Sequence, residues 1–158
     1  MNMKIIRTNS ENKDFINLVK ELDAYLKITD GDEHDFYNQF NNIDVLKYVV
    51  VVYVDTEINS AQVKIPVGCG AIKKFNNISM EVKRMYVFPE YRGKGIARKI
   101  LSELEVWAVA LGYKKCVLET GKRQVEAVQF YKKCDYTVIL NYGQYKNMEN
   151  SICFEKQL

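Results

Sequence analysis

Apolar residues recur along this chain in two rhythms, and the switches between them mark out its elements. Residues 3–7 read as a short strand. Thr8 and Ser10 are competing N-cap candidates, and Thr8-x-x-Glu11 has the form of a capping box. Phe15, Leu18, Val19, Leu22, Tyr25 and Leu26 then recur at three- and four-residue intervals and predict one face of a helix. Asp30-Gly31-Asp32-Glu33-His34-Asp35 interrupts it, and Phe36-Tyr37-x-x-Phe40 suggests a second, short helix. Val45 to Val54 is a β-branched run, read as a well-buried strand. Val63 to Phe75 reads as the next strand, and Asn76-Asn77 supplies a hairpin turn into a strand from Ile78 to Val87. Ile96, Ile100, Leu101, Leu104, Trp107, Ala108 and Leu111 form a helical stripe stopped by Gly112. Cys116 to Thr120 is a strand, 124–134 a helix, and 136–141 with 151–156 an antiparallel pair. The order βααβββαβαββ predicts a mixed α/β sheet with helices packed on it.

One strand breaks its own rhythm. Between Ile78 and Val87 the apolar side chains fall at 78, 80 and 82, then at 85 and 87. A regular strand cannot keep both sets on one face, so an extra residue near Lys83-Arg84, a β-bulge, is expected. The competing reading is a strand buried on both faces, with no parity to break.

The segment after that strand carries candidate chemistry. Tyr91-Arg92-Gly93-Lys94-Gly95-Ile96-Ala97-Arg98 reads as a turn and a helix start rich in glycine and positive charge. A helix start presents free N–H groups and the positive end of a dipole, which suits a phosphate. Gly93 and Gly95 let backbone approach a ligand, while Arg92, Lys94 and Arg98 supply charge. A Walker A loop is excluded because Gly95 is followed by Ile96, with no hydroxyl for a metal. A dinucleotide fingerprint is disfavoured because Arg98 stands where a third glycine belongs.

Composition narrows the classes. The 158 residues are most simply one domain, 1–158, with ordinary globular proportions of 47% hydrophobic and 27% charged residues. A net charge of +3, from 23 basic and 20 acidic residues, is too balanced to argue for nucleic acid. Cys69, Cys116, Cys134 and Cys153 are widely spaced and the chain has one histidine, His34, so no zinc constellation is expected. No apolar run is long enough to span a bilayer, and a reducing cytoplasm fits the unpaired cysteines.

Arg92-x-x-Gly95-x-Ala97, directly after a strand bearing Glu81, resembles the acetyl-CoA signature of the GNAT superfamily of N-acetyltransferases. Glu81 to Val87 with Pro89 and Tyr91, then Leu118-Glu119-Thr120-Gly121, then Ala127 to Lys133, extend the likeness over roughly the second half of the chain. The resemblance implies a GNAT fold: a mostly antiparallel mixed sheet of six to seven strands, flanked by about four helices, with a splayed, bulged central strand. It implies acetyl-CoA as co-substrate, no metal, and a primary amine of a small molecule or peptide as acceptor. Neither nucleic acid nor membrane is an expected partner, and a homodimer is possible on the same analogy. The alternative is a non-catalytic acyl-CoA-binding or regulatory domain on the same fold.

The resemblance also assigns residues. Tyr131 matches the tyrosine that protonates the leaving thiolate, and Glu81 the glutamate that serves as base or water relay. The backbone N–H of Val87 would stabilise the oxyanion. Residues 92–97, with Arg98, would hold the pyrophosphate, and Met85-Tyr86-Val87 would pair with the pantetheine arm. Gln124, Phe130 and Lys133 would line the remainder of the cofactor. Asp32 and Glu33, with Asp30, Asp35 and Tyr37, fall where an acceptor pocket is expected; an acidic rim favours a cationic amine, and helix capping is the competing role. Tyr142 and Tyr145 could wall the same pocket. Asp135 departs from the pattern, which has glycine at that position.

Overall fold

The computed structural model describes residues 2–33 and 46–158. Ten elements run in order: β1 (Met3–Thr8), α1 (Lys13–Asp30), β2 (Tyr48–Ile58), β3 (Ala61–Lys74), β4 (Ser79–Val87), α2 (Ile96–Ala110), β5 (Lys115–Gly121), α3 (Val125–Lys133), β6 (Thr137–Ile139) and β7 (Ser151–Gln157). The short helix expected at 36–40, with Tyr37, His34 and Asp35, lies outside the described residues. Three α-helices are therefore described where about four were expected.

The strands form one seven-stranded sheet in the order β1-β2-β3-β4-β5-β7-β6. Every pairing is antiparallel except β4 with β5. Tight hairpins build the first half, and β2 turns into β3 through Asn59 and Ser60, both at positive φ. Strand alternation sorts the core into two layers. Val50, Val52 and Val54 join α2 and α3 on one face, while Val49 and Val51 join Phe15, Leu18, Val19 and Leu22 of α1 on the other.

The N-cap of α1 is Asn12, not Thr8 or Ser10: its Oδ1 accepts from the Phe15 N–H at 2.9 Å. Thr8 cannot serve because it is still paired with Val49 in the sheet, and the Ser10 N–H is drawn back to the Leu46 carbonyl at 3.1 Å.

The broken parity of β4 is resolved by a bulge. Cys69 pairs with Tyr86 and Ala71 with Lys83, so Gly70 alone opposes both Arg84 and Met85. Arg84 takes the strain, with φ of 58°. Met80, Val82, Met85 and Val87 consequently all face α2 and α3, while Glu81 and Tyr86 belong to the opposite face. Glycine at 70 lets α2 approach this closely, because a Cβ there would lie 2.5 Å from Met85 Sδ and 2.8 Å from Ile100 Cγ2 and would force them to shift.

Beyond the bulge the sheet parts. β4 and β5 pair only at Ser79–Lys115, Met80–Cys116 and Glu81–Val117. From there to Val87 the facing edges of the two strands diverge, leaving a slot through the sheet. All four cysteines are free and buried.

Candidate functional site

Two cavities meet at this slot. The larger, about 520 Å³, runs between α1 and α3 along the unpaired edge of β4, with Met85, Tyr86, Val87, Arg92, Gly93, Ala97, Gln124 and Phe130 in its wall. The smaller, about 130 Å³, lies on the α1 side and is walled by Asp30, Glu81, Lys83, Glu119, Thr120 and Tyr145, among others. Leu22, Met85, Gln124, Ala127 and Tyr131 belong to both walls. Tyr131 thus stands at the junction: its helix packs on one face of the sheet, and the parted strands let it meet residues of the other.

The larger cavity is built to receive an extended, anionic molecule. The Phe88 N–H donates to the Val67 carbonyl at 2.9 Å; antiparallel alternation then turns the Val87 N–H away from β3, toward the slot. The Val87 carbonyl accepts from Arg92 Nε at 2.8 Å, and the guanidinium also lies over the rings of Tyr86 and Tyr25, at 5.6 Å and 5.8 Å. Gly93 and Gly95 adopt φ of 76° and 82°, and a Cβ on either would meet nothing within 4 Å. That leaves room beside the backbone where α2 begins. The first N–H bonded within α2 is that of Lys99, to the Gly95 carbonyl at 3.2 Å, so the amides of the opening turn point out of the helix end. A coenzyme A-sized ligand fits this set: an open strand edge for its amides and a bare, basic helix start for its phosphates.

Not every basic residue of the turn faces the cavity. Ile96 is buried in the core, leaving only its backbone for a ligand. Lys94 lies over the Tyr91 ring at 5.3 Å, and Arg98 donates to the Lys133 carbonyl at 3.2 Å, tying α2 to the end of α3. Lys94, Arg98 and Lys133 stand outside the described walls of both cavities. Asp135 adopts φ of 71°, keeping the left-handed turn that glycine would make there.

The smaller cavity concentrates ionisable groups. Glu81, 8% exposed, accepts from the Tyr142 hydroxyl at 2.6 Å and lies 3.8 Å from Lys83 Nζ. Glu119 belongs to the Leu118-Glu119-Thr120-Gly121 stretch that carries part of the resemblance, which gives it no role. Here it accepts from Ser151 Oγ at 2.7 Å, and its pKa is pushed up to about 7, first by burial and also by the Asp30 and Glu81 charges nearby. Burial lowers the pKa of Lys83, and the Glu81 charge partly opposes that. Burial likewise raises the hydroxyl of Tyr131 well above an ordinary phenol, and those of Tyr142 and Tyr145 too. Tyr131 therefore keeps its proton throughout the physiological range.

Of the acidic residues expected at the rim, Asp32 is exposed in a short turn, while Glu33 accepts from Asn150 Nδ2 and lies 3.7 Å from the Arg123 guanidinium. Arg123 carries no sequence signal. It lines the larger cavity and donates to the Thr29 and Asp30 carbonyls at 3.2 Å and 2.9 Å, closing the C-terminal end of α1. Among the described residues there is no cluster of three or more metal-ligating side chains, and no helix is long and apolar enough to cross a membrane.

Comparison with known proteins bears on the family and the fold. The sequence profile of the acetyltransferase (GNAT) family matches residues 15–136. A protein of Azospirillum brasilense named IAA acetyltransferase is 31% identical over 159 residues, covering 99% of each chain. A Klebsiella pneumoniae protein provisionally assigned as an acyl-CoA N-acyltransferase superposes with a TM-score of 0.76 at 25% identity, over 99% of this chain and 97% of that one. The PaiA N-acetyltransferase of Thermoplasma acidophilum, crystallised with coenzyme A, has the same fold, with a TM-score of 0.68 at 19% identity and full coverage of both chains.

Proposed function

Because the chain belongs to the GNAT family of acetyltransferases, we propose that it transfers an acetyl group from acetyl-CoA to a primary amine, by direct attack while both are bound. The observation that carries this reading is Tyr131 in the walls of both cavities, a proton donor at the point where a donor in one would meet an acceptor in the other. When bound, acetyl-CoA supplies the thioester carbonyl that is attacked. The unpaired edge at Met85-Tyr86-Val87 holds its pantetheine arm, and the backbone of 92–97 holds its pyrophosphate. Gln124 and Phe130 support the arm from the α3 side.

Acetylation of an amine needs a neutral nitrogen, a stabilised oxyanion and a proton for the departing thiolate. An alkylamine with a pKa near ~10 is almost wholly protonated at neutral pH, so a base is required. Glu119, with its carboxyl pushed up to about 7, is poised for that task, and Glu81 assists from across the cavity as a relay. The Val87 N–H, turned toward the slot, stabilises the oxyanion, and Tyr131 gives its proton to sulfur.

The acetyl-transfer part of the Azospirillum protein's name is carried over to this chain; its acceptor is not. In the wall of the smaller cavity the acids Asp30, Glu81 and Glu119 outnumber the bases Lys83 and Arg84, which favours a cationic acceptor, a small amine or the amine of a peptide. We place the enzyme in the cytoplasm, in keeping with its reduced cysteines.

The test is thiol release across a panel of amines, beside calorimetry of acetyl-CoA binding. Binding is expected in the wild type and lost in Gly95→Glu, whose carboxylate would occupy the open space of the phosphate turn. Tyr131→Phe is expected to keep binding and lower kcat by about 10²-fold. Binding without thiol release for any amine would instead identify a non-catalytic acyl-CoA sensor.

A further inference from the structure

The smaller cavity holds an amine of the chain's own. Lys83 lies on β4 two residues before Met85, in the wall that Met85 and Tyr131 share with the cofactor groove. Only 9% of its side chain is exposed, and Nζ sits 3.8 Å from Glu81 Oε1. Three conditions for acylation therefore coincide at one side chain: a nucleophilic nitrogen, a carboxylate to take its proton, and adjacency to a thioester site. Burial disfavours the charged form of this lysine, so a larger share of it is neutral than for a surface lysine. Holding nucleophile and thioester in neighbouring cavities also replaces an encounter in solution by an intramolecular one.

We propose that Lys83 is a self-acetylation site, modified from acetyl-CoA bound to the same chain when no acceptor amine fills the smaller cavity. This rests on the acetyl-CoA-dependent reading above. The Lys83 ammonium gives one proton to Glu81 across the 3.8 Å gap through one water, and Nζ then forms a bond to the thioester carbonyl carbon. The C–S bond breaks and sulfur leaves with the proton of Tyr131, which recovers one from the amide-forming nitrogen. The products are acetyl-lysine and free coenzyme A, with one proton released to solvent. No further reactant is needed. The modification removes the cation beside Glu81 and leaves the cavity wall more acidic, so occupancy of Lys83 would alter which amines are drawn in.

The experiment is incubation of the purified chain with acetyl-CoA alone, followed by intact-mass measurement and peptide mapping. The expected result is one acetyl group per chain, mapped to Lys83 and absent from Lys83→Arg, with occupancy reduced at least about tenfold in Tyr131→Phe and in Gly95→Glu. Equal occupancy in Gly95→Glu would show solution chemistry and overturn the proposal. So would acetylation confined to exposed lysines such as Lys94 and Lys99. Melting curves of each variant establish that it is folded before it is scored. If amines drive thiol release while Lys83 stays unmodified, only this proposal fails. If Lys83 stays unmodified and acetyl-CoA does not bind, the functional reading fails with it.

Discussion

Glu119 shows how much a single position can depend on its neighbours. Its carboxyl is pushed up to about 7 from an ordinary 4.5, with burial as the largest cause. A carboxyl that binds its proton more tightly when folded stabilises the fold fully below about pH 4.5. That contribution is lost as pH rises toward 7 and stays lost above. Glu119→Gln removes the slope. The variant is expected to gain on the order of 3 kcal/mol over wild type at pH 8 relative to pH 5, at about 1.4 kcal/mol per pKa unit, in urea unfolding at the two values. Its kcat/KM should fall and lose the rise through neutrality that a base of this pKa gives. Identical pH slopes in both proteins would show that the Glu119 carboxyl is not raised by folding. Leu118 to Gly121 carries part of the resemblance, but nothing in it announces the raised pKa of Glu119. It arises because Glu119 pairs with Cys153 across the sheet, which brings Ser151 diagonally onto the same face, and because Asp30 and Glu81 approach from other elements. The role proposed for Tyr131, by contrast, starts from a contiguous motif, and the residue stands in both cavity walls.

Among the elements, β3 and β4 are the pair whose irregularity positions the site. Parity alone places the bulge near Lys83-Arg84, and the register puts it opposite Gly70. Periodicity sees such a feature because it shifts side chains between faces. It does not see caps, and the start of α1 is misread for that reason: Thr8 has the right chemistry but is held by β2. The close approach of α2 to β3 is equally hidden. Gly70→Ala would drive a Cβ against Met85 Sδ, Ile100 Cγ2 and Leu104 Cδ1, the last at 3.0 Å. It is expected to cost about 1–3 kcal/mol and, by displacing Met85, to weaken acetyl-CoA binding as well. Gly93→Ala has open space around it and suffers only its positive φ, a penalty of about 1–2 kcal/mol. Denaturant unfolding of the two variants, each with a coenzyme A titration, separates steric crowding from backbone strain.

At the scale of the whole molecule, three segments distant in sequence converge beside the slot. Arg123, from the turn between β5 and α3, holds the Thr29 and Asp30 carbonyls, while Glu33 meets both Arg123 and Asn150. The contacts span 94, 93 and 117 residues, which is why no pattern in the sequence marks Arg123. Arg123→Ala frees the end of α1, and with each of its two hydrogen bonds contributing about 1 kcal/mol, local opening there should rise about thirtyfold. Amide exchange over residues 26–33 measures it. The acceptor KM should rise with it, because Asp30 walls the smaller cavity, and acetyl-CoA affinity should fall as well, because Arg123 itself lines the larger one.

The parted sheet has a mechanical consequence. Strands β1 to β4 make one plate and β5, β7 and β6 another, and three residue pairs rivet them at one end. A joint fixed at one end resists shear along the strands better than rotation of one plate against the other. The core around α2 spans both plates and opposes such a rotation. Any change in the width of the slot reaches both cavities at once, because Leu22, Met85, Gln124, Ala127 and Tyr131 wall them both.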